Sequence, residues 1–319
     1  MDAICRVPGV TARGLMSLPA LAVLAFLCCS CASPGSGRGT AFGSPKEAAA
    51  ALADALRADD VEALERILGP ASGELIESGD PVSDAVARRR FVEIFDARSR
   101  IDQEAPDRAI LHIGDLDWPL PIPITEVDGA WAFDSDEGIE EMLNRRIGRN
   151  ELAAIQVCLA VVDAQKEYRQ IDRDGDGRLA YAERFASSPG KRDGLYWKVA
   201  EGKAPSPMGP FAAKAAAEGY TRKDDQEGPT PYHGYRYRIL KAQGSRAGGG
   251  ARTYIEKGAM VGGFALVAYP AEYGASGIMT FIVNHEGIVF QKDLGEESEK
   301  IAAAMVVYDP DGTWSTVDP

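Results

Sequence analysis

The sequence predicts an α+β fold, and three observations predict it. Residues 44–101 carry helical periodicity, with apolar positions recurring every three or four residues. The stretch that follows is strand-like, with a tight-turn dipeptide at Asp128-Gly129. After residue 137 a long amphipathic helix is again followed by alternating, β-branched and aromatic segments. Helices segregated from antiparallel strands define the α+β class. The 319 residues suffice for two domains, at about 150 residues each. The boundaries read as 1–31 (export signal), 32–43 (Gly/Ser/Pro-rich flexible tether), 44–136 (N-terminal α+β domain) and 137–319 (C-terminal α+β domain).

Composition narrows the function. With 45% hydrophobic and 26% charged residues the chain is globular, not disordered. A net charge of -13 and the lack of a long Lys/Arg run argue against a nucleic-acid partner, which needs a basic surface. Arg88-Arg89-Arg90 and Arg145, Arg146 and Arg149 read as solvated helix faces.

The first thirty residues read as a targeting segment. Arg6 and Arg13 precede an apolar run, "LMSLPALAVLAFL", too short to span a bilayer comfortably. "CCSCAS" then resembles a bacterial lipoprotein cleavage box, with Cys31 acylated, although Cys28 stands where Leu is usual. The other reading is a plain secretory signal cut near Ala32. The expected location is the periplasm or outer membrane, with membrane contact only through a lipid on Cys31. Cys158 is then the lone cysteine of the body, so the fold rests on its cores without a disulfide.

Each element has a local reason. "SPKE" starts the first helix: Ser44 caps, Pro45 suits the first helical position and Glu47 completes a capping box. Asp59 or Asp60 caps "VEALERIL", which Gly69-Pro70 stops. "SDAVARRRFVEIFDARSRI" reads as a third helix with Val86, Phe91, Ile94, Phe95 and Ile101 inward. Strands follow at "RAILHIG", "LPIPITEV" and "AWAFD". "DEGIEEMLNRRIGRN" reads as a helix closed by Gly148. Asn150 then caps a second helix with Leu152, Ile155, Leu159 and Val162 inward. "AAKAAAEG" is a short helix. "YHGYRYRILKA", "GGFALVAYPAEY", "IMTFIVN" and "GIVFQKDL" are strands, with Met279, Phe281 and Val283 facing inward. "SEKIAAAMVVY" closes the domain as helix or strand.

The strongest motif is "DRDGDGRLAYAE", residues 172–183. Calcium prefers six to eight oxygens at about 2.3–2.6 Å, and a twelve-residue loop supplies them from fixed positions. Asp172, Asp174 and Asp176 occupy positions 1, 3 and 5. Gly177 falls at the sharp turn, Arg178 offers its carbonyl, and Glu183 can chelate with both oxygens. Ala180 at position 9 leaves that ligand to water. Magnesium, which demands a tighter octahedron, is the poorer candidate. The alternative is a solvated acidic turn, in which each close carboxylate pair costs on the order of 1 kcal/mol. No second such loop occurs, and Pro189-Gly190 limits any outgoing helix to Ser188. The expectation is a structural Ca2+ clip that pins the long helix to the loop after it, not a sensor that opens.

Catalytic signatures are absent. The three histidines, His112, His233 and His285, fall in no zinc motif. There is no G-x-S-x-G elbow, no P-loop and no dinucleotide fingerprint. The best enzymatic candidate is His233 as a base among Tyr232, Tyr235 and Tyr237. Tyr196, Trp197, Tyr232 and Tyr235 read chiefly as core.

Several stretches carry a family resemblance: "GRNELAAIQVCLAVVDAQKEY", "DRDGDGRLAYAERFASSPGKRDGLYW", "TPYHGYRYRILKAQG", "GGFALVAYPAEYGASGIMTFIVNHEGIVFQKDLG" and "AAAMVVYDPDGTW". From about Phe42 to Trp314 the chain closely resembles the bacterial domain-of-unknown-function 2950 family. That implies an exported bacterial protein and brings no activity with it. Members often carry Gly and Glu where this chain has Arg178 to Ala180. The order of elements before residue 136 and the strand "DGAWAF" resemble the cone-shaped folds named after nuclear transport factor 2. "AAIQVCLAVVDAQKEYRQIDRDGDG" is similar to type II secretion pseudopilins, which lead a helix into an acidic or calcium-bearing loop and then a sheet. The export segment here lies far upstream of that helix, so a pilin-like domain is expected without pilus assembly. The leading expectation is an envelope lipoprotein that binds an unknown protein or envelope component without catalysis. The competing ones are an envelope hydrolase acting near His233 and a pilin-associated subunit.

Overall fold

The computed structural model describes residues 38–173, 175–200, 202–220 and 230–317. The apolar signal segment and Cys31 lie outside the described residues.

Order begins before Ser44. Thr40 N–H donates to Arg66 O at 2.7 Å, and Phe42 exchanges backbone bonds of 2.7 and 2.9 Å with Trp131. Helix α1 (Pro45–Ala58) is capped by Ser44, whose Oγ accepts from Glu47 N–H at 3.2 Å. The return bond from Glu47 goes to Gly43 N–H at 3.1 Å, one residue earlier than a capping box requires. Helix α2 (Val61–Leu68) is capped by Asp60. A single turn, α3 (Gly73–Ile76), follows, and α4 (Pro81–Ala97) starts on an Asp80 cap. This helix ends four residues before Ile101, because Ser99–Ala105 is an extended strand, β1. Its polar sequence hid it: an edge strand buries little, so its alternation is weak. Val86 also faces outward, 39% exposed.

Strands β1, β2 (Arg108–Ile113), β3 (Ile124–Val127) and β4 (Ala130–Phe133) form an antiparallel sheet in sequence order. Asp128 and Gly129 both have positive φ, 54° and 81°, as a two-residue primed hairpin requires. Leu52, Leu64, Leu111, Ile124 and Phe133 fill the core between this sheet and the first helices.

Helix α5 (Ile139–Tyr168) then runs for 30 residues without a break. Gly148 does not end a helix, and Asn150 does not cap one. Its Nδ2 donates to Ser276 O at 2.8 Å. A continuous inward stripe (Ile147, Asn150, Ala154, Cys158, Val161 and Gln165) holds the two expected segments in one phase. Leu152 falls off that stripe and is 67% exposed, against expectation.

The C-terminal sheet is antiparallel, built from β5 (Tyr235–Leu240), β6 (Ala265–Pro270), β7 (Met279–Asn284) and β8 (Val289–Asp293). The spatial order is the sequence order, with Ser315–Thr316 added beyond β8. Tyr235 and Tyr237 lie on the face near Cys158 of α5. Arg236 and Arg238 alternate to the other face, where they reach Glu299 and Ala302 of α7 (Ser298–Ala304). Both faces are therefore covered. Every residue of β6 is buried, and Thr280 and Ile282 are buried beside Phe281 and Val283. The expectation of a single inward face on β7 is corrected accordingly. The fold is α+β, with antiparallel sheets throughout.

Tyr235 and Tyr254 are fully enclosed, and burial pushes both phenols up, Tyr254 to about 12. A folded pKa above the unfolded one stabilises fully below pH 10, and that stability is lost as pH rises further. Each tyrosine should cost about 1.4 kcal/mol per pH unit between pH 10 and its folded pKa. Tyrosinate absorbance from these groups should therefore appear together with loss of the circular dichroism signal. Ionisation at pH 10 with the fold intact would contradict this burial.

Candidate functional site

The acidic loop leaves directly from the end of α5. Both oxygens of Asp172 accept backbone N–H groups, from Gly175 at 2.8 Å and Gly177 at 2.9 Å. Those glycines have φ of 77° and 83°, conformations that a side chain would strain. The chain is thereby coiled around the Asp172 carboxylate. Asp174 lies outside the described residues.

The other two carboxylates are paired with cations. Asp176 accepts from Arg178 N–H at 2.8 Å and from its guanidinium, with Nε at 2.7 Å. These bonds hold the Asp176 carboxyl below its usual range. The same guanidinium donates to Glu256 O at 3.0 Å and Lys257 O at 3.3 Å, so it ties the loop to the turn at Lys257-Gly258. Arg178 thus adds a side-chain role to the carbonyl foreseen for it. Glu183 accepts from Lys241 Nζ at 2.6 Å, just beyond β5. Among the described residues no three His, Cys, Asp or Glu side chains converge as an ion-holding group.

No helix leaves this loop. Tyr181 N–H donates to Met260 O at 2.8 Å, and α6 (Gly209–Ala217) is the next helix. The chain instead passes through cation–π contacts. Arg173 lies 4.9 Å from the Tyr168 ring and 5.0 Å from Trp197, which Arg192 approaches at 5.6 Å. Arg169 stacks on Tyr181 at 4.9 Å. Trp197 packs against the core, whereas Tyr196 is 37% exposed.

His233 sits in a second polar cluster. Its Nε2 lies 3.3 Å from Glu218 Oε2, which also accepts from Tyr232 OH at 3.0 Å. The Tyr232 and His233 rings meet edge-on at 4.2 Å. Beneath them is Asp80, fully buried. It accepts from Tyr220 OH at 2.9 Å, Gly234 N–H at 2.8 Å and Ser83 N–H at 3.1 Å. A Cβ on Gly234 would lie 2.5 Å from Asn150 Nδ2, so only glycine permits this approach. Asp80, Tyr220 and Glu218 were not singled out from sequence. "GDPVSD" does read as a helix start, but nothing local signals a bond to Gly234.

His112 contacts Asp117 O at 3.0 Å inside the first sheet, and His285 stacks edge-on with Tyr254. Burial, reinforced by Arg252, pushes the His285 imidazole below its usual range. Neither joins the His233 cluster.

The arrangement defines an α+β protein with two hydrophobic cores, a coiled acidic loop and a buried carboxylate hub. The chain belongs to the family described as protein of unknown function DUF2950, whose model matches residues 39–317. No curated protein and no solved structure matches it.

Asp80→Ala removes a helix cap and the acceptor for a buried N–H and a phenol. It should cost about 3 kcal/mol in urea unfolding. A loss under about 1 kcal/mol would show that the hub is not holding these elements together.

Proposed function

We propose that this is an exported envelope lipoprotein, anchored through Cys31. It binds an envelope component or protein without catalysis, and a structural Ca2+ loop secures its C-terminal half. The reading rests on the apolar N-terminal segment and on the D-x-D-x-D-G-x5-E spacing. The observation that carries the loop assignment is the coil around Asp172, closed by Gly175 and Gly177 N–H groups. Asp172, Asp174, Asp176, the Arg178 carbonyl and Glu183 would hold the ion, which supplies charge neutralisation and not chemistry. Binding is then an exchange, because Glu183 must leave Lys241 and Asp176 must share with Arg178. Partly exposed ion pairs are worth about 0–1 kcal/mol, so the exchange is affordable at the high calcium levels outside the cytoplasm.

Within this reading the first half takes the cone-shaped arrangement of helices over a sheet. The second half takes the pilin-like order of long helix, loop and sheet. A pilin-associated role would additionally require capture by secretion components.

Millimolar calcium should raise the melting temperature relative to chelator, and Asp172→Ala and Glu183→Ala should abolish the rise. Lys241→Met, which frees Glu183, should lower the calcium concentration needed at least threefold, about 0.6 kcal/mol. Identical melting of the wild type in calcium and chelator would remove the clip.

A second reading, an envelope hydrolase, is favoured by the His233–Glu218 pair at 3.3 Å. It predicts hydrolysis of an envelope ester or glycoside that His233→Ala abolishes. No turnover across such substrates would leave the binding role alone.

A further inference from the structure

The first helices and the start of α5 enclose a half-open apolar cavity of about 140 Å³. Its wall is dominated by Leu52, Leu56, Leu64, Leu68, Leu75 and Phe91. A dry cavity of this size takes one benzene-sized group. The polar side chains on its lining are Asp84, Arg88 and Arg146.

Both arginines brace the mouth. Arg146 donates to Glu74 O at 2.7 Å and to Leu75 O, and Arg88 donates to Ile76 O at 3.1 Å. The end of the single turn α3 is thus pinned by two guanidinium groups, which keeps the leucines from collapsing inward. The lining carries one carboxylate, Asp84, whose charge favours the Arg146 cation without forming an ion pair with it. Arg88 is paired with Asp59 at 2.5 Å, and both oxygens of Asp84 are taken by Ser78 N–H and Oγ at 2.9 and 2.6 Å. Among the described residues no carboxylate forms an ion pair with Arg146. The nearby Arg149 adds its field to the same place. Burial disfavours the Arg146 charge, Asp84 opposes that shift, and the net effect is a lowered pKa. A guanidinium has five N–H donors, so Arg146 keeps donors for an acceptor arriving at the mouth.

We propose that this cavity binds a small apolar carboxylate, its aromatic or short aliphatic body among the leucines and its carboxylate on Arg146. The wall supplies shape and burial, while Arg146 selects the acid over its neutral isosteres. This site is separate from the acidic loop and from His233, so it stands if either of those readings fails.

The test is calorimetric titration of the purified protein with phenylacetate, 2-phenylethanol and acetate. Phenylacetate should bind once per chain, at least about tenfold tighter than either of the others. Arg146→Gln should weaken phenylacetate about tenfold and leave 2-phenylethanol within about threefold. Ala87→Phe, at an exposed position of the lining, should obstruct the cavity and abolish binding of both aromatic probes. Independently of any variant, nuclear Overhauser contacts from the phenylacetate ring to leucine methyls of the wild type should place it. Absence of saturable phenylacetate binding would overturn the proposal. So would equal affinity for the alcohol, indifference to Arg146→Gln, or ring contacts only to leucines that do not line the cavity.

Discussion

The packing of one uninterrupted helix against two cores is the constraint on which the rest of this structure depends. Ile139 and Met142 of α5 pack against the core of the first helices and sheet, while Ala154 to Tyr168 form one wall of the C-terminal core. Between these ends the helix is fastened by polar bonds to backbone. Asn150 donates to Ser276 O, and Glu151 accepts from Ile278 and Met279 N–H at 3.1 and 3.0 Å. A helix this long gains its stability from such burial and not from propensity. Every feature with functional promise hangs from it: Arg146 at the cavity mouth, Asn150 beside Gly234, and the acidic loop at its last turn.

Charge is handled in two different ways along that axis. At the loop the protein supplies its own cations, Arg178 and Lys241, against Asp176 and Glu183. At the Asp80 hub no cation among the described residues pairs with the carboxylate, and three hydrogen-bond donors satisfy it instead. Partnered, exposed charges can be exchanged at small cost, whereas a buried network resists change because each lost bond leaves an unsatisfied group. The loop's charge pairs can therefore be exchanged at small cost, whereas the hub holds shape.

What was legible in the sequence is what is local. The Asp128-Gly129 hairpin, the Ser44 and Asp60 caps and the sharp turn at Gly177 each depend on residues within a few positions of one another. What was hidden depends on partners far along the chain. Gly148 suggested a break, but a helical glycine costs only about 1 kcal/mol, and packing at both ends overrides it. Leu152 was misplaced because the inward stripe is centred on Asn150, Ala154, Cys158 and Val161, which puts Leu152 on the opposite side of the helix. The Asp80 to Gly234 bond spans 154 positions and Lys241 to Glu183 spans 58, and no local pattern reports either. The loop's spacing was readable for the same reason that its present partners were not.

Because α5 is common to both cores, neither should melt alone. Differential scanning calorimetry tests this most directly. A single transition with equal van't Hoff and calorimetric enthalpies is the result this account predicts. Two resolved transitions, or a van't Hoff enthalpy well below the calorimetric one, would mean that the helix does not couple the cores.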